Sequence, residues 1–143
     1  MPIRKAKAGW NGDLKTGKGQ ISFGGRFEQP FSFGTRFEET PGTNPEELIG
    51  GALSGCYSMA LAADLGRAGL APKSVQTEAD VHLDKTEAGF TITRIALRTR
   101  AEVPGVDEAR FREIAEGTRK ECPVARALGG VQIELVARLA PSA

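Results

Sequence analysis

The sequence is poor in the residues that build metal and histidine chemistry. It has one histidine, two cysteines, one tryptophan and one tyrosine in 143 residues. One histidine leaves no partner for a histidine-based triad or metal cage, and two cysteines are too few for a Cys/His zinc site or a disulfide-rich scaffold. Charge of one sign is also lacking: 19 Lys plus Arg against 18 Asp plus Glu leave a net +1. That balance argues against a nucleic-acid partner. The start, Met-Pro-Ile-Arg-Lys-Ala-Lys, has charges with no apolar stretch behind them, so it does not read as a secretory signal. The expected compartment is the cytoplasm, where a lasting structural disulfide is not expected. Two cysteines there are either inert thiols or a working redox pair. The one long apolar run, residues 48–65, is diluted by glycine and serine and reads as a core helix rather than a membrane span.

What is present is an ordinary globular balance, 40% hydrophobic and 26% charged, in a length that suits one domain over residues 1–143. Charge is uneven. Residues 1–26 hold six basic side chains and only Asp13 as an acid, whereas residues 28–47 hold five acids and only Arg36 as a base. Two differently solvated surfaces account for this.

Residues 3–37 read as strands and tight turns, with Gln20 to Phe23 and Phe31-Ser32-Phe33 alternating as half-buried strands. Gly17-Lys18-Gly19 is not a dinucleotide fingerprint, because Ser22 stands where the third glycine belongs. Asn44-Pro45-Glu46-Glu47 is a strong helix start: an N-cap, a proline in the first turn and acids on the positive end of the dipole. The helix is expected to run to about Gly66, roughly 33 Å at 1.5 Å per residue. Its apolar character goes nearly all the way round, which predicts a buried central helix. Gly50, Gly51, Ala52 and Gly55 leave room for another element. Residues 75–84 alternate without a break, and residues 90–99 alternate with a slip near Arg94 that predicts a bulge. Asp107 starts a second, amphipathic helix with Phe111, Ile114, Ala115, Thr118 and Cys122 on one face. Pro123 breaks it, a short helical turn follows, and residues 131–139 alternate as a last strand. The order predicts an α+β fold with antiparallel sheet.

Cys56 lies within the long helix among Ala52, Leu53, Met59 and Ala60, an apolar setting that by itself fits inert packing and raises a thiol's pKa. Cys122 precedes Pro123 at a helix junction. It reads as a buried apolar-face residue, or as a thiolate favoured by the free N–H groups of a helical turn. His82 falls on the polar face of its strand, and Trp10 and Tyr57 read as packing.

Thr43-Asn44-Pro45-Glu46-Glu47-Leu48, followed by Ser54-Gly55-Cys56-Tyr57-Ser58-Met59-Ala60 and later by Glu121-Cys122-Pro123-Val124-Ala125-Arg126-Ala127-Leu128, resembles the osmotically inducible protein C and organic hydroperoxide resistance family. The resemblance covers nearly the whole chain. It implies an intertwined homodimer with two long central helices, and a cysteine-based peroxidase favouring organic hydroperoxides with no cofactor. By resemblance, Cys56 is the peroxidatic cysteine, Cys122 the resolving one and Glu46 the acidic partner of an activating arginine. Phe31 to Phe37 is similar to the osmotically inducible branch, which makes Arg36 that arginine. Arg26 takes the part if the other branch applies. The implied partners are an organic hydroperoxide and an external dithiol. Glu46 and Cys56 are ten residues apart on one helix, about 15 Å along its axis, more than a glutamate side chain spans. A site shared between subunits is therefore expected. Two other roles fit the same residues. One is a redox sensor or binding protein of this fold, which would oxidise once without turnover. The other is a structural dimer whose inert thiols alkylate slowly.

Overall fold

A computed structural model describes residues 1–141. They form two compact units, one from Met1 to Leu48 and one from Ile49 onward.

The first unit is a three-stranded antiparallel meander of β1 (Ala6–Asn11), β2 (Lys18–Phe23) and β3 (Phe27–Phe31), followed by the one-turn helix α1 (Phe33–Phe37). The β2–β3 turn places Gly24 and Gly25 at φ 63° and 64°, a backbone region open to glycine at little cost. The sequence expectation of a strand through Phe33 is corrected here: β3 ends at Phe31 and Ser32 caps α1. Ser32 and Thr35 form a reciprocal capping box, the Ser32 Oγ accepting from Thr35 N–H and the Thr35 Oγ1 from Ser32 N–H. No apolar side chain of this unit is fully buried.

The helix α2 (Pro45–Arg67) starts at the end of the first unit and runs on through the second. Asn44 Oδ1 accepts from Glu47 N–H at 2.8 Å, so the expected cap forms. Then come β4 (Ser74–Thr86), β5 (Gly89–Glu102), α3 (Glu108–Glu121), α4 (Pro123–Ala127) and β6 (Gln132–Leu139). Strands β4 and β5 form a long antiparallel hairpin. Its register shifts between His82, opposite Arg94, and Leu83, opposite Ile92, which is the expected bulge. The antiparallel expectation does not extend to the last pair: β6 lies parallel to β5. The chain crosses over through α3 and α4 before pairing, and a crossover of that length is what a parallel pair needs.

The core belongs to the second unit. Ile95, Leu97, Thr99 and Ala101 line the inner face of β5, Val103 follows its end, Phe111 and Ala115 come from α3, and Leu53, Tyr57, Leu61 and Leu65 come from α2. The α2 residues recur every four positions, one face of a helix. The opposite face is uncovered in the single chain, which corrects the picture of a helix buried all round. Gly51, Ala52, Gly55 and Ala63 are exposed, and Met59 is 78% exposed. The small residues divide accordingly. A Cβ on Gly50 would sit 3.2 Å from Val81 Cγ2, so β4 packs closely there, whereas Gly51 and Gly55 face open space. By length and composition α2 could cross a membrane, but its Leu53–Leu65 ridge is spent on this core.

Leu61 has no exposed surface. Leu61→Ala is expected to lower unfolding free energy by about 2–5 kcal/mol, since lost transfer energy and a residual cavity add. Urea denaturation measures it, with an unchanged m-value as the sign that only stability moved.

Candidate active site

In the first unit the capping box winds residues 33–37 into one turn and puts Arg36 at its end. Asn44 then does two jobs. Its Oδ1 caps α2, and its Nδ2 donates to Thr35 O at 3.0 Å, tying α1 to the first turn of α2. The result is an ion pair. Arg36 Nη2 donates to Glu46 Oε1 at 2.7 Å, and Nε lies 3.1 and 3.3 Å from the two carboxylate oxygens. Such a fork fixes the direction of the guanidinium as well as its place. Glu46 is buried, and the Arg36 guanidinium lies 5.3 Å from the Phe37 ring centroid. Around it, Trp10, Leu14, Phe31, Phe33 and Phe37 line a concavity of about 220 Å³. Arg26, the other candidate, sits exposed after the Gly24-Gly25 turn and has no ion pair among the described residues.

In the second unit the two cysteines come together at one place. Cys122 ends α3 and caps α4, with Pro123 in the first turn of α4. Ala125 N–H donates to Cys122 Sγ at 3.4 Å, and Val124 N–H donates to Cys56 Sγ at 3.5 Å. Consecutive backbone donors thus address the two sulfurs. Both thiols are free; Cys56 is half-buried and Cys122 is 1% exposed.

Burial pushes the Cys122 thiol above its ordinary value. The Ala125 N–H opposes this, and a hydrogen bond with Cys56 adds to it. The expected favouring of a Cys122 thiolate by α4 is therefore outweighed, and Cys122 holds its proton at neutral pH. Tyr57, fully buried beside Cys56, donates to Ala115 O at 2.9 Å; burial first, then Glu116, Cys122 and Asp64, raise its pKa. Sequence reasoning gave this residue packing alone; a lone tyrosine on an otherwise apolar face is the signal that its hydroxyl needs a partner. Ser58 donates to Thr77, which meets the Thr99 hydroxyl at 3.0 Å, a short polar chain from α2 into β4 and β5. His82 is half-buried opposite Arg94. Trp10 Nε1 is occupied by the carbonyls of Gly12 and Asp13.

Chemically, the second unit offers a half-buried thiol whose neighbour is a protonated thiol and a peptide N–H. The first offers an aimed cation beside an apolar concavity. A thiol next to a thiol can form a disulfide, and neither group supplies a metal site: among the described residues no three His, Cys, Asp or Glu side chains cluster as ligands.

Comparison with known proteins gives consistent matches. The family model described as OsmC-like protein matches residues 37–136. The chain is 50% identical over 127 residues to a protein named peroxiredoxin OsmC in Escherichia coli, covering 87% of this chain and 89% of that one. It is 29% identical over 90 residues to an organic hydroperoxide resistance protein of Xanthomonas axonopodis pv. citri, covering 62% and 61%. The solved OsmC-like protein of Mycoplasma pneumoniae shares the fold, with a TM-score of 0.76 at 14% identity over 98% of this chain and 99% of that one.

The raised Cys122 value has a signed consequence. The folded chain binds more protons than the unfolded one once pH passes the ordinary thiol value of about 8.5. Cys122 therefore makes folding stability fall as pH rises from there. Cys122→Ala is expected to flatten the decline in melting temperature between about pH 8.5 and 10, below the tyrosine range. An unchanged slope would count against a protonated, buried Cys122.

Proposed function

The chain belongs to the OsmC-like family, and on that premise we propose that it reduces organic hydroperoxides, and hydrogen peroxide more weakly, through Cys56 and Cys122. It is an enzyme, a thiol-dependent peroxidase. One observation carries the assignment of residues: successive N–H groups of α4 donate to the two sulfurs, which puts a protonated thiol beside the half-buried one.

The reaction runs in three steps. The Cys56 thiolate attacks the terminal peroxide oxygen. An S–O bond forms, the O–O bond breaks, and the alkoxide leaves and takes up a proton as alcohol. The product is a sulfenic acid at Cys56. Cys122 then attacks that sulfur; the S–S bond forms, the S–O bond breaks, and hydroxide leaves with the Cys122 proton as water. An external dithiol returns both thiols by exchange and is itself oxidised to a disulfide. Arg36, held by Glu46, is the cation that favours the thiolate, and the apolar concavity beside it suits the alkyl group of the peroxide. No cofactor enters, and the place of action is the cytoplasm.

The working form we propose is an intertwined homodimer, each chain an OsmC-like domain, with Arg36 and Glu46 of one subunit serving Cys56 of its partner. Three features support it. Glu46 and Cys56 sit on one rigid helix about 15 Å apart along its axis. The Gly51, Gly55 and Met59 face of α2 is uncovered in a single chain. The first unit buries no apolar side chain fully, which is little support for an isolated three-stranded sheet.

The decisive assay is peroxide consumption with excess dithiothreitol. Turnover is expected to be faster with cumene hydroperoxide than with hydrogen peroxide and to vanish in Cys56→Ser. Arg36→Lys, which keeps the charge but loses the fork, is expected to lower kcat/KM by roughly 10- to 100-fold. No turnover by folded, reduced protein would sink the peroxidase reading.

Subunit sharing is tested by mixing. Cys56→Ser and Glu46→Ala chains, each strongly impaired alone, are expected to recover activity once exchanged into mixed dimers, because one of the two sites is then intact. Verified exchange without recovery overturns the shared site.

A further inference from the structure

We infer that Tyr57 is a positioning residue for disulfide formation, its buried hydroxyl setting the register of α2 against α3 so that Cys122 meets Cys56. This rests on the proposed pairing of those cysteines and adds a residue to it.

The geometry is a short chain of fixed parts. Cys56 and Tyr57 are neighbours on α2. The Tyr57 side chain has no exposed surface, and its hydroxyl donates to Ala115 O of α3 at 2.9 Å. Ala115 and Cys122 are seven residues apart, two helical turns, so both lie on the same face of α3, and both are buried. The bond therefore anchors α3 on the line that leads to the resolving sulfur, about 10 Å further along the axis. The core side chains of these helices pack through apolar surface, which resists separation but not sliding; a further polar tie is Thr118 Oγ1 donating to Asp64 Oδ2 at 2.5 Å. A disulfide tolerates little sliding, since it needs Cα atoms within about 4.4–6.8 Å and a narrow range of dihedral angle. The direction of the bond is also fixed. A phenol kept protonated by burial stays a donor across the working pH range, and the carbonyl cannot donate back.

Attack on peroxide needs only Cys56 and its activating groups. Closure of the disulfide needs Cys56 and Cys122 in register. Loss of the Tyr57 hydroxyl should therefore separate the two steps. Tyr57→Phe keeps the ring and its packing. Ser58→Ala serves as the control, because the hydrogen bond it removes runs from α2 to Thr77 on β4 rather than to α3.

Single-turnover reaction with one equivalent of cumene hydroperoxide reads both steps, with dimedone capture reporting the sulfenic acid. Titration against reduced and oxidised dithiothreitol reads the Cys56–Cys122 equilibrium without any peroxide. For Tyr57→Phe, sulfenic acid formation is expected within twofold of the unsubstituted protein. Disulfide closure is expected about tenfold slower, dimedone capture correspondingly greater, and the equilibrium shifted about tenfold toward the dithiol. Ser58→Ala is expected to leave closure and equilibrium unchanged. Wild-type closure and equilibrium in Tyr57→Phe overturn the proposal, as does equal slowing in both variants, which marks general loosening. A protein that forms the disulfide with diamide but turns over no peroxide fails as a peroxidase while the dithiothreitol titration still decides on Tyr57. One that forms no Cys56–Cys122 disulfide under any oxidant overturns the positioning role together with the pairing.

Discussion

The ridge of Leu53, Tyr57, Leu61 and Leu65 is the constraint on which the rest of the second unit depends. All four side chains are fully buried. Each buried residue of this kind is worth about 1.5–3 kcal/mol of removed apolar surface, more than any exposed ion pair here supplies. The ridge fixes the rotation of α2 about its axis. Once that is set, the neighbours have no choice: Gly50 must turn toward β4, where only hydrogen fits without displacement, and Gly51, Gly55 and Met59 must turn away. Cys56 precedes Tyr57 by one residue, so it falls at the edge of the buried face. It is close enough to the core to meet α4 and open enough to be reached.

The difference between the two thiols follows from the same burial. Cys122 ends the buried face of α3, where solvent cannot support a negative charge, and the N–H groups of Ala125 and Val124 do not compensate. Cys56, half-buried, has the neighbouring N–H of Val124 on its sulfur. Two cysteines in one setting would compete for one role. Here the fold makes one a proton holder and leaves the other accessible, which fits the proposed division between attack and resolution. The junction that arranges this is compact: Cys122 is both the last cap of α3 and the first of α4, and Pro123 forces the change of direction between them.

Much of this was legible in the sequence because it is locally encoded. Asn44, Pro45 and Glu47 mark the start of α2 by capping chemistry, and the slip at Arg94 marks the bulge opposite His82. What was not legible had competing local readings or no local cause. Phe31-Ser32-Phe33 satisfies a period of two, yet Ser32 and Thr35 also satisfy a capping box, and the box won. Alternation in residues 131–139 reports a half-buried strand but not its direction, because parallel and antiparallel strands alternate alike. An apolar helix surface does not say whether its own chain or another covers it, so α2 read as wholly buried. Arg26 and Arg36 are each followed by Phe-Glu, and in the sequence Arg36 is preferred only by the resemblance of the stretch Phe31 to Phe37. They are told apart by the backbone beneath them: a glycine turn leaves Arg26 in solvent, while a helical turn, tied to Asn44, aims Arg36 at Glu46.

The rigidity of α2 links assembly to chemistry under the proposed arrangement. Glu46, which holds Arg36, and Cys56 belong to the same helix ten residues apart, about 15 Å of rise along its axis and more than a glutamate side chain spans. Flexible loops in place of the helix would let one chain complete its own site. With the helix, the proposed activation of Cys56 is assigned to Arg36 of a second chain, and the small-residue face of α2 offers that chain a surface it can approach closely. Glycines at positions 51 and 55 weaken an isolated helix by up to about 1 kcal/mol each relative to alanine. That cost is reasonable if the missing side chains are what lets another helix near, and has no return in a single chain, where a Cβ added at either position would meet nothing within 4 Å among the described residues beyond its own helix. An uncovered helix face and a sheet without a buried core of its own are the features of the single chain that the proposed dimer would complete.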